Sequence, residues 1–327
     1  NCEETCEMEK IVFLYKKANV PDEIIQAAKL KTPAGFELIL CEEQMPSKKR
    51  RGIVAQADYL MLYTVGFDDV DVAKKAKLMQ ILSAGYDRLD VNSLKSAGIP
   101  LATNGGANAP TVAEHTILLI LALYRKLPLH HVSLKNGRWL GHQEVLSLHE
   151  IRGKRVGIIG FGKIGQEVAR MARGFLANVV YFDPVPADAR VEKELCATQI
   201  GFDQLISTSD IITIHIPLTQ VSRGLIDAKV LRAMKPSAIL INTARGGAIV
   251  EADLVAALSQ QVIAGAGLDV FEAEPLDNSP LLEMENVVIT PHTAGSTIDT
   301  WWRRLDFAFD NITRVSRGEK PLFVVDE

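Results

Sequence analysis

The sequence has little excess charge of either sign. Its 36 lysines and arginines nearly balance its 40 aspartates and glutamates, which gives a net charge of -4 over 327 residues. This balance provides no electrostatic basis for nucleic-acid binding. The single dense basic run, from Ser47 to Gly52, is interpreted as a solvated loop that precedes a strand.

Long apolar runs are also missing. The longest, from Thr116 to Tyr124, is too short to span a bilayer and indicates a buried helix. The first ten residues, NCEETCEMEK, are acidic and polar, unlike a secretory signal. We therefore expect a cytoplasmic protein with neither a membrane nor a nucleic acid as partner.

Cysteine is scarce. The four residues, Cys2, Cys6, Cys41 and Cys196, form no pair of CxxC motifs, so we expect reduced thiols and no metal site. Cys2 and Cys6 are interpreted as part of an unstructured tail, with metal binding by this pair as the alternative.

Short apolar segments alternate with helix-length segments along the chain. Apolar residues make up 47% of the composition, enough for a substantial core. Continuous apolar strands separated by helices indicate parallel sheets covered on both faces. Strands are predicted at IVFLY, FELILC, DYLMLY and LMQILSA, and after a long helical stretch at RVGIIG, NVVYFD, DIITIHI, AILINTA, AGLDVF and NVVITPH. The predicted fold class is α/β with two doubly wound parallel-sheet units.

The loop NGGANAP, residues 104–110, suggests the end of the first unit. We predict a Rossmann NAD-binding domain over residues 109–293, inserted into a flavodoxin-like substrate domain made of residues 10–108 and 294–327. The last helix of the chain would then return to the first domain.

The segment VGIIGFGKIGQEVARMARGF contains a G-x-G-x-x-G pattern. A strand leads into the turn, a helix leaves it, and the next strand ends at Asp183, 18 residues after Gly165. This arrangement predicts a dinucleotide site, with the pyrophosphate at the helix N-terminus and the ribose hydroxyls on Asp183. The carboxylate would repel a 2′-phosphate, so NAD is predicted rather than NADP. The turn residues assigned to the cofactor are Gly160, Gly162, Lys163, Ile164 and Gly165.

Three further segments are expected at the ligand-binding edge of the same sheet: INTARGG, LDVFEAEP and TPHTAGS. They supply an arginine, a histidine and several acids, a set that suits the reduction of a 2-oxo acid. A guanidinium matches the geometry of a substrate carboxylate, and a protonated imidazole can neutralise the alkoxide that hydride addition forms. Asp269, Glu272 and Glu274 compete for the place beside the histidine.

Together with GFGKIG and HIPLT, these segments resemble the D-isomer-specific 2-hydroxyacid dehydrogenase family, from about Lys10 to the C-terminus. The resemblance implies Arg245 as substrate anchor, His292 as acid/base and Glu274 as the partner of His292. It places Asp269 near the nicotinamide. It also implies that His215, Pro217 and Thr243 line the cofactor, and that the amides of Ala84 and Gly85 bind the substrate carboxylate.

The same resemblance implies an NAD(H)-dependent enzyme that interconverts a 2-oxo acid and a D-2-hydroxy acid. It also implies a homodimer, in which Trp139 of one copy reaches the active site of the other in some relatives. The stretch MLYTVGFDD offers no base for a substrate phosphate, so glyoxylate, hydroxypyruvate or a larger unphosphorylated acid is favoured. The alternatives are a D-3-phosphoglycerate dehydrogenase-like enzyme and a non-enzymatic NAD-sensing corepressor.

Overall fold

The structure is a computed structural model that describes residues 8–325. It divides into two compact units, which we call the first unit (residues up to 108 and from 297 onward) and the second unit (residues 109–296). Cys2 and Cys6 lie outside the described residues. Cys41 is buried and Cys196 is exposed, and both are free thiols.

The first unit begins with alternating strands and helices. In chain order these are β1 (Glu9–Tyr15), α1 (Asp22–Lys31), β2 (Phe36–Glu42), α2 (Ser47–Val54), β3 (Tyr59–Tyr63), β4 (Leu78–Ile81), α3 (Val91–Ser96) and β5 (Leu101–Ala102). The basic run that we interpreted as a loop is helix α2, so that interpretation was wrong. Arg50 and Arg51 on this helix form ion pairs with the buried Asp69. These ion pairs hold the basic run against the rest of the first unit.

All five strands of the first unit are parallel, in the order β2-β1-β3-β4-β5, the flavodoxin-like order. Successive side chains of a strand point to opposite faces, so both faces of this apolar sheet need cover. Ile11 and Phe13 belong to one core cluster, and Val12 and Leu14 belong to the other.

The second unit contains the remaining strands and most of the helices. In chain order they are α4 (Ala109–Tyr124), α5 (Leu127–Lys135), β6 (Arg155–Ile159), α6 (Lys163–Gly174), β7 (Asn178–Phe182), α7 (Ala189–Leu195), β8 (Ala197–Gln199), α8 (Phe202–Thr208), β9 (Ile211–Ile214), α9 (Ala228–Ala233), β10 (Ile239–Asn242), α10 (Glu251–Ser259), β11 (Gly265–Leu268) and β12 (Val287–Ile289). Short 3-10 turns occur at Lys17–Asn19, Val145–Ser147, Gly246–Ala248 and Pro280–Glu283.

The seven strands of the second unit are parallel in the order β12-β11-β10-β9-β6-β7-β8. Read from β8, the order is the 3-2-1-4-5-6 of a Rossmann fold with one strand added. The carboxyl ends of β6, β9, β10, β11 and β12 therefore meet at one edge. The predicted α/β class with two parallel-sheet units is confirmed, although the sequence prediction missed the edge strands β5 and β8.

Helix α4 carries the long apolar run, and ten of its residues are buried within the unit's core. No single helix within residues 8–325 is long and apolar enough to cross a membrane; α4 and α5 meet the length and composition criteria only as a pair bent by 62°. The last helix, α11 (Ile298–Ser316), belongs to the first unit and packs Leu305 and Ala308 into the core cluster of Ile11 and Phe13.

Candidate active site

The glycine-rich turn connects β6 to α6 at the carboxyl edge of the second unit's sheet. Gly160 has φ +91°, and a Cβ there would lie 2.5 Å from the carbonyl oxygen of His215. A Cβ on Gly165 would lie 2.2 Å from the carbonyl oxygen of Gly160, so the helix can pack this closely only with glycine. A Cβ on Gly162 would point into open space. Two glycines are thus required by packing, and the third leaves the backbone accessible.

Asp183 closes this turn from the neighbouring strand. Its Oδ2 accepts a hydrogen bond from the amide of Phe161 at 2.8 Å, and its Oδ1 accepts one from the amide of Val185 at 3.0 Å. The carboxylate therefore sits against the glycine turn, at the end of β7, and remains partly exposed.

The turn fits a dinucleotide pyrophosphate. No side chain of the described residues caps the N-terminus of α6, whose N-cap is Gly162. The first amides of a helix lack intrahelical acceptors and lie at the positive end of its dipole. With the open approach at Gly162, these amides form a cradle for an anion, flanked by Lys163 and Ile164. The residues present match the requirements of a Rossmann cofactor site.

His215 and Pro217 follow β9, beside the glycine turn. Burial lowers the pKa of His215 to about 3, so the imidazole is neutral at physiological pH. Its Nε2 lies 2.9 Å from the hydroxyl of Thr213, while Nδ1 is buried without a hydrogen-bond partner in the part of the chain that the structure describes. The backbone oxygen of Pro217 accepts a hydrogen bond from Ser222.

Thr243 and Arg245 follow β10. The Thr243 hydroxyl is 3.0 Å from the hydroxyl of Thr116 on α4. The buried Asn242 fixes the backbone here, since its amide donates to the Arg245 carbonyl at 2.9 Å and its side-chain oxygen accepts from the Ala244 amide. The Arg245 guanidinium donates to the Ala244 carbonyl and is partly exposed.

His292 and Glu274 are joined by a hydrogen bond. The imidazole Nδ1 lies 2.7 Å from Oε2 of Glu274, and the amide of Phe271 donates to Oε1 of Glu274 at 3.2 Å. Burial raises the pKa of the Glu274 carboxyl, but His292, the Phe271 amide and the charge of Arg245 outweigh it, so the net pKa is below its ordinary value. Of the three competing acids, Glu274 is the one that contacts the imidazole of His292.

Asp269 instead holds the backbone that carries His292. It is only 1% exposed, and its carboxylate accepts hydrogen bonds from the amides of Thr293 and Ala294, each at 2.8 Å. The amide of His292 donates to the Asp269 carbonyl at 2.8 Å. These bonds accompany a left-handed backbone at His292, with φ +55°. For a residue with a side chain this conformation is uncommon and needs such support.

His115, which was not predicted from the sequence as a site residue, is linked by hydrogen bonds to the loop that carries His292. His115 on α4 contacts the hydroxyl of Thr290 at 2.9 Å, and Thr290 donates to Oδ1 of Asp269 at 2.6 Å. His115 and Thr116 are polar residues at the start of the long apolar run of α4, and neither is exposed. These polar residues at positions that are not exposed are the sequence feature that could have indicated a role for His115.

Two predicted features lie apart from this cluster in sequence. The loop with Ala84 and Gly85 follows β4 in the first unit, where the Ser83 hydroxyl donates to the carbonyl of Gly85 at 2.9 Å. Trp139, in the second unit, is 79% exposed. Among residues 8–325 no group of three or more histidine, cysteine, aspartate or glutamate side chains is arranged to hold a metal ion.

Comparison with known proteins agrees with this geometry. Residues 117–294 match the family model described as D-isomer specific 2-hydroxyacid dehydrogenase, NAD binding domain. A glyoxylate reductase of Korarchaeum cryptofilum is 33% identical over 316 residues, covering 94% of this chain and 95% of that protein. A D-3-phosphoglycerate dehydrogenase of Archaeoglobus fulgidus is 38% identical over 229 residues, covering 70% of this chain but 43% of the relative.

Among solved structures, the apo form of Rhodotorula graminis D-mandelate dehydrogenase superposes with a TM-score of 0.84 at 26% identity, covering 98% of each chain. The chain belongs to the D-isomer-specific 2-hydroxyacid dehydrogenase family. It is therefore an NAD-dependent oxidoreductase, and the predicted family, enzyme class and cofactor are confirmed. The site roles, the homodimer and the cytoplasmic location stay predictions.

Proposed function

We propose that the protein reduces an unphosphorylated 2-oxo acid to the D-2-hydroxy acid, with His292 as acid/base, Glu274 as its partner and Arg245 as substrate anchor. The observation that carries this proposal is the 2.7 Å contact between His292 and Glu274, with the charge of Arg245 acting on the same carboxylate. An imidazole, its carboxylate partner and an arginine at one sheet edge are the groups that protonation of an alkoxide requires.

The roles follow from the chemistry of each group. When bound, the cofactor supplies the hydride. Glu274 accepts a hydrogen bond from Nδ1 of His292, which leaves Nε2 to donate a proton to the substrate oxygen. Arg245 pairs with the substrate carboxylate and polarises the keto group. The amides of Ala84 and Gly85 are proposed to bind the same carboxylate, and Asp183 to select NAD over NADP.

The absence of a phosphate in the substrate is supported by the segment after β3, because residues 64–69 include no lysine or arginine. Arg50 and Arg51 on α2 are committed to ion pairs with Asp69 and Asp71, which follow β3. The D-3-phosphoglycerate dehydrogenase similarity keeps a phosphorylated substrate as the second candidate. Glyoxylate reductase and D-mandelate dehydrogenase relatives span small and aromatic unphosphorylated acids.

The test is NADH oxidation by the purified protein with glyoxylate, hydroxypyruvate, pyruvate, longer aliphatic acids, phenylglyoxylate and 3-phosphohydroxypyruvate. We expect turnover with an unphosphorylated acid, and a decrease in kcat of about 10²- to 10⁴-fold in His292→Ala with NADH binding retained. Preference for 3-phosphohydroxypyruvate would favour the second candidate. Wild-type turnover in His292→Ala would contradict the proposed acid/base.

We also propose a cytoplasmic homodimer formed through the second unit. Between residues 118 and 146 this unit exposes seven large apolar side chains, and exposed apolar side chains that lie together mark interaction surfaces. They are Leu118, Leu127, Val132, Leu134, Trp139, Val145 and Leu146, of which Leu146 is 95% exposed. A second copy presenting the same surface would bury them in an isologous interface.

Light scattering coupled to size exclusion tests the homodimer. We expect a mass of two chains for the wild type and a shift toward one chain in Leu146→Glu. Leu30→Glu is the matched control, because Leu30 is 87% exposed but lies on α1, outside this surface. A wild-type mass of one chain would overturn the proposal.

A further inference from the structure

The contact between His115 and Thr290 has a defined hydrogen-bond direction. A carboxylate accepts hydrogen bonds, so the single hydroxyl proton of Thr290 is donated to Oδ1 of Asp269 at 2.6 Å. The oxygen of Thr290 must then accept from His115, whose Nε2 lies 2.9 Å away. His115 therefore carries a proton on Nε2.

Asp269, the acceptor of the Thr290 hydroxyl, also accepts hydrogen bonds from the loop that carries His292. Oδ1 of Asp269 accepts from Thr290 and from the amide of Thr293, and Oδ2 accepts from the amide of Ala294. The Nε2 of His115 is also 3.6 Å from Oδ1 of Asp269. Among the described residues, Asp269 is the single carboxylate within 4 Å of His115. Asp269 is thus the common acceptor that links His115 and Thr290 to the two amides that follow His292.

We propose that His115 is a positioning residue for the acid/base His292, acting through Thr290 and Asp269. The inference rests on the proposed function of His292, but it assigns a role to a residue outside the reacting groups. His115 has 14% of its side chain exposed and Asp269 1%, so water cannot readily replace this donor.

The need for such support lies in the backbone of His292. Its φ of +55° is unfavourable for a residue with a side chain, and the Asp269 hydrogen bonds hold the following two residues. Without the Nε2 donor, the Thr290 hydroxyl is free to rotate away from Asp269. The carboxylate would then lose one of its fixed donors, and the His292 loop would relax by a fraction of an ångström or more.

The experiment compares His115→Leu, which removes the donor, with His115→Gln, which keeps an N–H group at the end of the side chain. We expect His115→Leu to lower kcat by about 10- to 100-fold, since a displacement of about 1 Å can cost this much. The Kd for NADH and the KM for the oxo acid should change by less than about threefold. His115→Gln should restore most of kcat. His149→Leu, at an exposed position outside the surface proposed for the homodimer, is the control for loss of a histidine.

A double-mutant cycle with Thr290→Val tests the route. Residues that act through one network are not additive, so the double variant should lose no more kcat than the worse single variant. Additive losses, or a wild-type kcat in His115→Leu, would overturn the inference. A parallel loss of NADH affinity and melting temperature in both the Leu and Gln variants would also overturn it, because that pattern indicates a general structural role.

Side-chain ¹⁵N NMR of histidine-labelled protein gives a readout that does not depend on turnover. The wild type should show His115 with its proton on Nε2, and Thr290→Val should change that signal. A proton confined to Nδ1 would overturn the inference. If the wild type reduced no 2-oxo acid, the proposed function would fail, and the NMR result would still decide whether this hydrogen-bond chain exists.

Discussion

The imidazole of His292 and the carboxylate of Glu274 are joined at 2.7 Å through Nδ1 and Oε2. The two residues lie 18 positions apart in sequence and are brought together by loops that follow β12 and β11. Glu274 has a lowered net pKa despite its burial, because His292, a backbone amide and Arg245 favour its charged form. The contact occupies Nδ1 of His292, so its Nε2 is left for proton transfer.

Glu274→Gln should lower kcat for 2-oxo acid reduction by about 100-fold or more. The Glu274 carboxylate accepts from Nδ1 of His292 and so leaves Nε2 for proton transfer, whereas an amide group can hold the ring in either tautomer. Steady-state rates at saturating NADH measure this. Glu272→Gln is the control, since Glu272 is exposed and its side chain does not contact His292; a wild-type kcat in Glu274→Gln would contradict the proposed partnership.

Asp183→Ala should weaken the preference for NADH over NADPH. The carboxylate lies against the glycine turn through the Phe161 amide and would repel a 2′-phosphate. We expect the ratio of kcat/KM values for the two cofactors to fall by about tenfold or more, because loss of a charged hydrogen bond costs about 1.5–3 kcal/mol. Initial rates with both cofactors give the ratio. An unchanged ratio would mean that another group reads the ribose.

Much of the fold could be predicted from the sequence because its signals are local and agree with one another. The strands β6 and β7 are continuous apolar runs, and the turn between β6 and α6 carries glycines that packing requires. The edge strands β5 and β8 were missed because they have only two and three residues. Segments this short contain too few residues to show a period.

The candidate site could be predicted less completely from the sequence than the fold. Motif order suggested His292 and Glu274, but spacing alone could not exclude Asp269 or Glu272 as the partner. Choosing between these acids needs the path of the chain between β11 and β12. His115 is 177 residues from His292 and carries no motif of its own. The basic run at α2 was wrongly interpreted as a loop because its ion pairs with Asp69 and Asp71 join segments about 20 residues apart.

His215 should make stability depend on pH below neutrality. Burial lowers its folded-state pKa to about 3 from an ordinary 6.5. Above pH 6.5 both states are neutral and the contribution is fully present. Below it the unfolded chain binds a proton that the native state does not, so stability falls by up to about 1.4 kcal/mol per pH unit until pH 3.

Chemical denaturation at pH 7.5 and 5.0 checks this expectation. The wild type should lose about 2 kcal/mol more than His215→Gln between these values. His142→Gln, at an exposed position, should behave like the wild type. Equal losses in the wild type and His215→Gln would show that this imidazole does not titrate as its burial implies.

Substitution by alanine should have different effects at two glycines of the cofactor turn: weaker NADH binding at Gly162 and lower stability at Gly165. At Gly162 the backbone has φ -72° and a Cβ meets nothing within 4 Å, so Gly162→Ala should leave stability within about 1 kcal/mol of the wild type. The added methyl would occupy the space that a pyrophosphate needs, so NADH affinity should fall by about tenfold or more.

At Gly165 a Cβ would lie 2.2 Å from the Gly160 carbonyl oxygen, so Gly165→Ala should destabilise the fold by about 1–3 kcal/mol. Unfolding curves and NADH fluorescence titrations separate the two effects. Wild-type NADH affinity in Gly162→Ala would mean that the cofactor does not approach the backbone at this turn.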